Sequence, residues 1–140
     1  MRLKLDKETR ALAEALADLE VFADLDRQVV EELATTGRVV HLPAHWAVVT
    51  ESQPADSCYV VLSGEAEVRQ HGEPVATIGA GALVGEAALV EHRTRNASVI
   101  TTGPLSALRL GFEDLQAMFA RHRSLERAFQ HAWEQRSAQV

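Results

Sequence analysis

The sequence predicts a mainly β domain, an antiparallel β-roll with helices on both flanks. Three observations carry that prediction. Apolar side chains recur at helical spacing before residue 37 and again after residue 112. Between those stretches lie short segments rich in valine and isoleucine, divided by Pro, Gly, Asp or His. Strands at such regular spacing, with no helical segment alternating between them, fit a sandwich or barrel rather than βαβ units. The sequence divides accordingly into N-terminal helices over about 8–36, a β-roll over about 38–110 and C-terminal helices over about 112–137, all one domain.

Each element has its own reason. Leu12, Leu16 and Leu19 lie on one face of a first helix, and Phe22 and Leu25 extend the apolar surface past a break. Asp26 is placed to cap a second helix, RQVVEELA, which Gly37 ends. RVVHL, WAVVT, SCYVVLSG, EAEVRQ, PVATIG, NASVITT and LSALRL then read as strands, with QHGEP as a hairpin turn. Phe112, Leu115, Met118 and Phe119 share a face of the next helix. Leu125, Phe129 and Trp133 follow at fourth-residue spacing in a last helix that Ser124 is placed to cap.

Composition excludes several function classes. At 140 residues and 46% hydrophobic content the chain can bury a core. Its net charge of −6 argues against a nucleic-acid partner. Cys58 is the only cysteine, so an internal disulfide is impossible. No apolar run has the length of a membrane span, and the charged N-terminus lacks the apolar block of a signal peptide, so a cytoplasmic location with no membrane partner is expected. Ser57, Ser63 and Ser98 lie in no nucleophile-elbow context, so no catalytic activity is expected. His41 and His45 are separated by Pro43 and lack a His-x-His ligand spacing, so no metal site is expected either. Cys58 is read as a small core residue, and Trp46 as a core or interface residue.

One stretch carries chemistry: LVGEAALVEHRTRNASVIT, residues 83–101. A short helix beginning near Gly85 would leave first-turn N–H groups without partners at a point of partial positive charge. Gly85, Ala87 and Ala88 are small and leave those groups open to an anion. Arg95, on the far side of the loop, offers a planar fork to phosphate oxygens. Glu86 would repel a phosphate but suits a neighbouring hydroxyl, such as a ribose 2′-OH. Together these residues fit a nucleotide held in a β-roll. A ligand-free Glu86–Arg95 ion pair is the plainer alternative.

The same stretch resembles the phosphate-binding cassette of cyclic nucleotide-binding domains. That pattern is Gly-Glu-x-Ala-Leu, a short spacer, then Arg-x-Ala-Thr/Ser-Val. The chain has Gly85-Glu86-Ala87-Ala88-Leu89 and Arg95-Asn96-Ala97-Ser98-Val99. FADLDRQVVEELA, DSCYVVLSGEAEV and FEDLQAMFARHRSLERAF resemble the helical segment, central strands and following helices of the same family, with Gly64 at its turn glycine.

The resemblance implies a jelly-roll-like, double-stranded β-helix fold and a non-catalytic sensor of cAMP, with cGMP as the alternative ligand. It implies that Glu86 accepts the ribose 2′-OH and Arg95 pairs with the exocyclic phosphate oxygen. The N–H groups of Ala87, Ala88 and Ala97 are its further phosphate contacts, Asn96 approaches the phosphate or base, and Leu83 and Val84 line the pocket. Trp133 or Arg136, near the end of the last helix, would cover the purine. His45 and Ser52 stand where bacterial members often carry turn glycines that favour positive φ. With no effector domain in the sequence, the sensor is expected to act on an unidentified protein effector or as a homodimer. The rival reading is a degenerate member that serves as a scaffolding domain without nucleotide.

Overall fold

A computed structural model describes residues 5–53, 55–85 and 97–139, with side chains as far as Gln135. Helix α1 runs from Lys7 to Ala17, a 3-10 turn from Glu20 to Phe22, and α2 from Arg27 to Thr36. Among the described residues eight strands follow: β1 Arg38–Leu42, β2 Ala47–Val49, β3 Ser57–Ser63, β4 Ala66–Gln70, β5 Glu73–Ile78, β6 Leu83–Val84, β7 Ser98–Thr101 and β8 Leu105–Gly111. Helices α3, Phe112–Arg121, and α4, Arg123–Gln139, end the described chain.

The strands form two four-stranded antiparallel sheets, ordered β1-β8-β3-β6 and β2-β7-β4-β5. The first sheet is covered on both faces. Cys58, Val60, Leu83, Leu108 and Leu110 join the helices in one core, around Leu16, Phe22, Leu33, Leu115 and Phe129. Tyr59, Val61, Val84, Leu105 and Ala107 point the other way, into the roll interior with Val49, Ala66 and Val99. Double coverage explains why β3 reads as the nearly unbroken apolar run CYVVL. The second sheet has one covered face, so β4 mixes apolar and charged residues, and most of β5 is exposed.

The helical layer is held by apolar contacts and by charged pairs. The Phe129 ring packs 5.3 Å from that of Phe119 and 6.2 Å from that of Phe22. Glu32 on α2 accepts from Arg121 Nη2 and meets His122 Nε2 at 2.6 Å, which ties α2 to the α3–α4 junction. Leu16, Leu115, Met118, Leu125 and Phe129 are buried as their spacing predicts, and so is Cys58.

Several sequence-based expectations need correction. Asp26 occupies the N-cap position of α2, but its side chain makes no capping hydrogen bond. The side-chain cap of α1 comes instead from Asp6, whose Oδ1 accepts from the Thr9 N–H at 2.7 Å. Ser124 is inside α4 rather than before it, because the helix already begins at Arg123. Gly37 does end α2, yet its φ of −80° is one any residue adopts. Glycine is needed there because a Cβ would stand 2.6 Å from Leu108 Cδ1. Trp46 is 53% exposed and so lies outside the core.

Candidate functional site

The site is framed by two strands from different sheets. β6 enters it, with Leu83 paired to Val60 and Val84 paired to Tyr59 on β3. A turn precedes that entry, with the Ala82 N–H donating to the Gly79 carbonyl at 3.1 Å, and the segment is tied to β3 by the Val61 N–H donating to the Ala82 carbonyl at 2.9 Å and the Gly81 N–H to the Val61 carbonyl at 2.8 Å. Gly85 then bends the chain at a φ of +89°, a left-handed conformation that suits glycine. β7 leaves the site at Ser98, paired to Arg69 on β4.

Glu86, Ala87, Ala88, Arg95 and Asn96 lie outside the described residues, as does the side chain of Arg136. Of the remaining site residues, Val84 is fully buried in the roll interior. Ala97 is also buried, and Val99 beyond it belongs to the same interior cluster. Leu83 points the opposite way, into the helical core, because successive residues of a strand face opposite sides. Trp133 is half-buried one turn beyond Phe129, next to Ala132, which packs against the helical core.

Sequence reasoning missed the hydrogen bonds that hold this frame. The Ser98 hydroxyl accepts from the Glu51 N–H at 2.8 Å. Glu51 Oε1 accepts from the His71 N–H at 3.0 Å, at the tip of the β4–β5 hairpin. Thr101, 1% exposed, accepts from the Trp46 N–H at 2.8 Å and donates to the Pro43 carbonyl at 2.6 Å. The signal was a serine and a threonine bracketing an apolar pair in SVIT; their partners, about 50 residues away in sequence, carry no local mark.

Among the described residues three turns take left-handed backbone at residues other than glycine: His45 at φ +61°, Ser52 at +69° and His71 at +54°. The first two are the positions where glycine is common in the related pattern, so both turns keep the glycine conformation without the glycine. Among the described residues no group of three His, Cys, Asp or Glu side chains is placed to hold a metal. None of the described helices is long and apolar enough to cross a membrane.

The chain belongs to the cyclic nucleotide-binding domain family, whose model matches residues 39–122. It is 36% identical over 107 residues to a cAMP-dependent protein kinase regulatory subunit of Yarrowia lipolytica, covering 74% of this chain and 28% of that protein. It is 34% identical over 86 residues to an uncharacterized NTE family protein of Mycobacterium tuberculosis, covering 61% of this chain and 15% of that one. The chain therefore spans well under half of these curated relatives. Among solved structures it superposes on cAMP-bound PfPKA-R with a TM-score of 0.77 at 15% identity, covering 94% of this chain and 48% of that one. The Thermus thermophilus catabolite activator protein gives 0.76 at 22% identity, covering 84% and 58%. The regulatory subunit of a cAMP-independent protein kinase A from Trypanosoma brucei gives 0.73 at 22% identity, covering 84% and 44%. The fold is thus the β-roll of regulatory nucleotide-binding domains, with helices flanking the sheets.

Proposed function

We propose that this domain is a non-catalytic sensor that binds a cyclic purine nucleotide, cAMP in preference to cGMP, in the loop between β6 and β7. One observation carries the reading. The cassette motif, Gly85–Leu89 and Arg95–Val99, begins where β6 ends and finishes on β7, and Val84 and Ala97 at its two ends are buried. A ligand held by that loop is set against an apolar wall with charged groups around it.

In this reading Arg95 pairs with the charged exocyclic phosphate oxygen, and Glu86 accepts the ribose 2′-OH. The N–H groups of Ala87, Ala88 and Ala97 complete the phosphate contacts. Val84 lines the sugar side, and Leu83 backs the wall from the helical core. Asn96 approaches the phosphate or base with an amide that both donates and accepts. Trp133 or Arg136 covers the exposed purine face. The domain acts from the cytoplasm on a separate protein effector or on a second copy of itself.

Calorimetry with cAMP and cGMP tests this directly. Micromolar or tighter binding of cAMP is expected, weakened about 30- to 5,000-fold by Arg95→Ala or Glu86→Ala, the usual loss on truncating a desolvated charged contact. Arg95→Lys should lose much of the affinity too, since a point charge cannot reproduce the fork. Alanine variants that bind like the parent would move the site elsewhere. Silence with both nucleotides would favour the scaffolding reading, to which the match with the regulatory subunit of a cAMP-independent kinase gives some weight.

A further inference from the structure

The first sheet carries a basic pair that the nucleotide site does not use. Arg38 on β1 is directly in register with Arg109 on β8, and Arg109 in turn with Tyr59 on β3. Val84 completes this row across the sheet. The row alternates with residues of the helical core, so both arginines belong to the side of the sheet that faces the roll, at an end where both are exposed.

Like-charged side chains directly opposite each other on neighbouring strands, with Cβ atoms about 5 Å apart, destabilise a sheet. The acid supply is short of neutralising them. Asp56 approaches Arg109 at 3.7 Å, and among the described residues no carboxylate reaches Arg38. Asp56 is itself 86% exposed, so it screens Arg109 weakly. β1 is also the terminal strand of its sheet, with its outer main-chain edge unpaired among the described residues.

We propose that Arg38 and Arg109 dock an extended acidic segment of a partner protein along the edge of β1. Main-chain groups of β1 pair with the segment, and the segment side chain that falls in the row of Arg38 and Arg109 places its carboxylate on the guanidinium groups. A carboxylate peptide fits better than a nucleic-acid backbone. The chain's net charge of −6 repels a long polyanion, and Asp56 sits beside the pair, whereas one or two carboxylates match two guanidinium forks. The docking surface is separate from the cassette and holds whether or not a cyclic nucleotide binds.

The test is an NMR titration of the whole 15N-labelled chain with a capped six-residue peptide of alternating glutamate and threonine at low salt. Amide shifts should centre on residues 38–42 and 106–110, and Arg38→Gln with Arg109→Gln should weaken binding at least tenfold. The double variant should unfold at the same temperature as the parent or higher, because the like-charge contact is gone. Shifts centred elsewhere, or undiminished in the double variant, would overturn the proposal. Equal shifts from inorganic phosphate at matched charge would show a simple anion site instead of a peptide dock. A lower unfolding temperature in the double variant, and in Arg38→Gln alone, would show that the pair serves the fold.

Discussion

Thr101 offers a sharp test of how the roll is held together. Its side chain is buried, and its hydroxyl bridges the Trp46 N–H and the Pro43 carbonyl, at 2.8 and 2.6 Å. Thr101→Val keeps the shape and removes the bridge. Each such bond contributes about 1 kcal/mol net, and stranding a buried donor or acceptor costs about 1–3 kcal/mol. The added apolar group offsets about 0.8 kcal/mol. The expected loss is therefore about 2 kcal/mol, or a fall of about 6–10 °C in Tm for a domain of this size. Thr101→Ser keeps the hydroxyl and deletes a methyl, a change worth about 1 kcal/mol. Urea unfolding should rank the parent above the serine variant and the serine above the valine. Exchange of the Trp46 amide should quicken in the valine variant alone. A valine variant as stable as the parent, or more stable than the serine one, would show that the bridge contributes nothing.

Gly64→Ala should cost at least about 2 kcal/mol in denaturant unfolding, more than left-handed strain alone, which is about 1–2 kcal/mol. Its φ is +92°, and an added Cβ would stand 2.4 Å from the Pro104 carbonyl oxygen. His45→Gly should do the reverse and raise Tm. It releases that same strain at φ +61° and gives back only about 0.5–1 kcal/mol in the chain entropy that glycine adds. In a Trp46→Phe variant, Trp133 is the remaining tryptophan of the two in the sequence, and its emission should change on adding cAMP. An unchanged spectrum at saturation would remove it from the purine cover. Asp6 is held below its ordinary pKa of 3.8, chiefly by the backbone hydrogen bond from Thr9. A depressed carboxyl adds stability that is present above the ordinary value and is lost as pH falls through the lowered one. Asp6→Ala should therefore fray α1 at neutral pH, measured by amide exchange, and make no difference in strong acid.

Much of this architecture was legible because burial leaves its period in the sequence. β1 is RVVHL from end to end, and β3, β4, β5 and β8 fall within a residue of the segments their texture marks out. The QHGEP turn is read correctly for a local reason: His71 and Gly72, at φ +54° and +80°, form the two-residue left-handed turn that closes a hairpin. β6, at two residues, is too short to show a period of its own. The caps at Asp26 and Ser124 were misjudged for another reason. A polar residue near a helix start fits several roles, and only the backbone geometry decides among them. Gly37 was right for the wrong cause, since its value lies in contact with Leu108, 71 residues away.

Ser98 shows the same limit inside the motif itself. Read as part of Arg-Asn-Ala-Ser-Val, it stands among ligand-binding residues. In the structure Val99 faces the roll interior, which turns Ser98 to the outer face of β7, where its hydroxyl accepts from the Glu51 N–H. Glu51 in turn reaches the His71 N–H, so one short relay joins the exit of the cassette, the loop around Ser52 and the tip of the β4–β5 hairpin. A small hydroxyl is wanted there for a backbone partner, which serine and threonine both satisfy and valine does not. A sequence motif can thus combine two requirements: residues proposed to meet the ligand, and residues that tie one end of the loop to the rest of the roll. Glu86 and Arg95 belong to the first kind in the proposed function. Ser98 belongs to the second, through the bond its hydroxyl accepts from the Glu51 N–H.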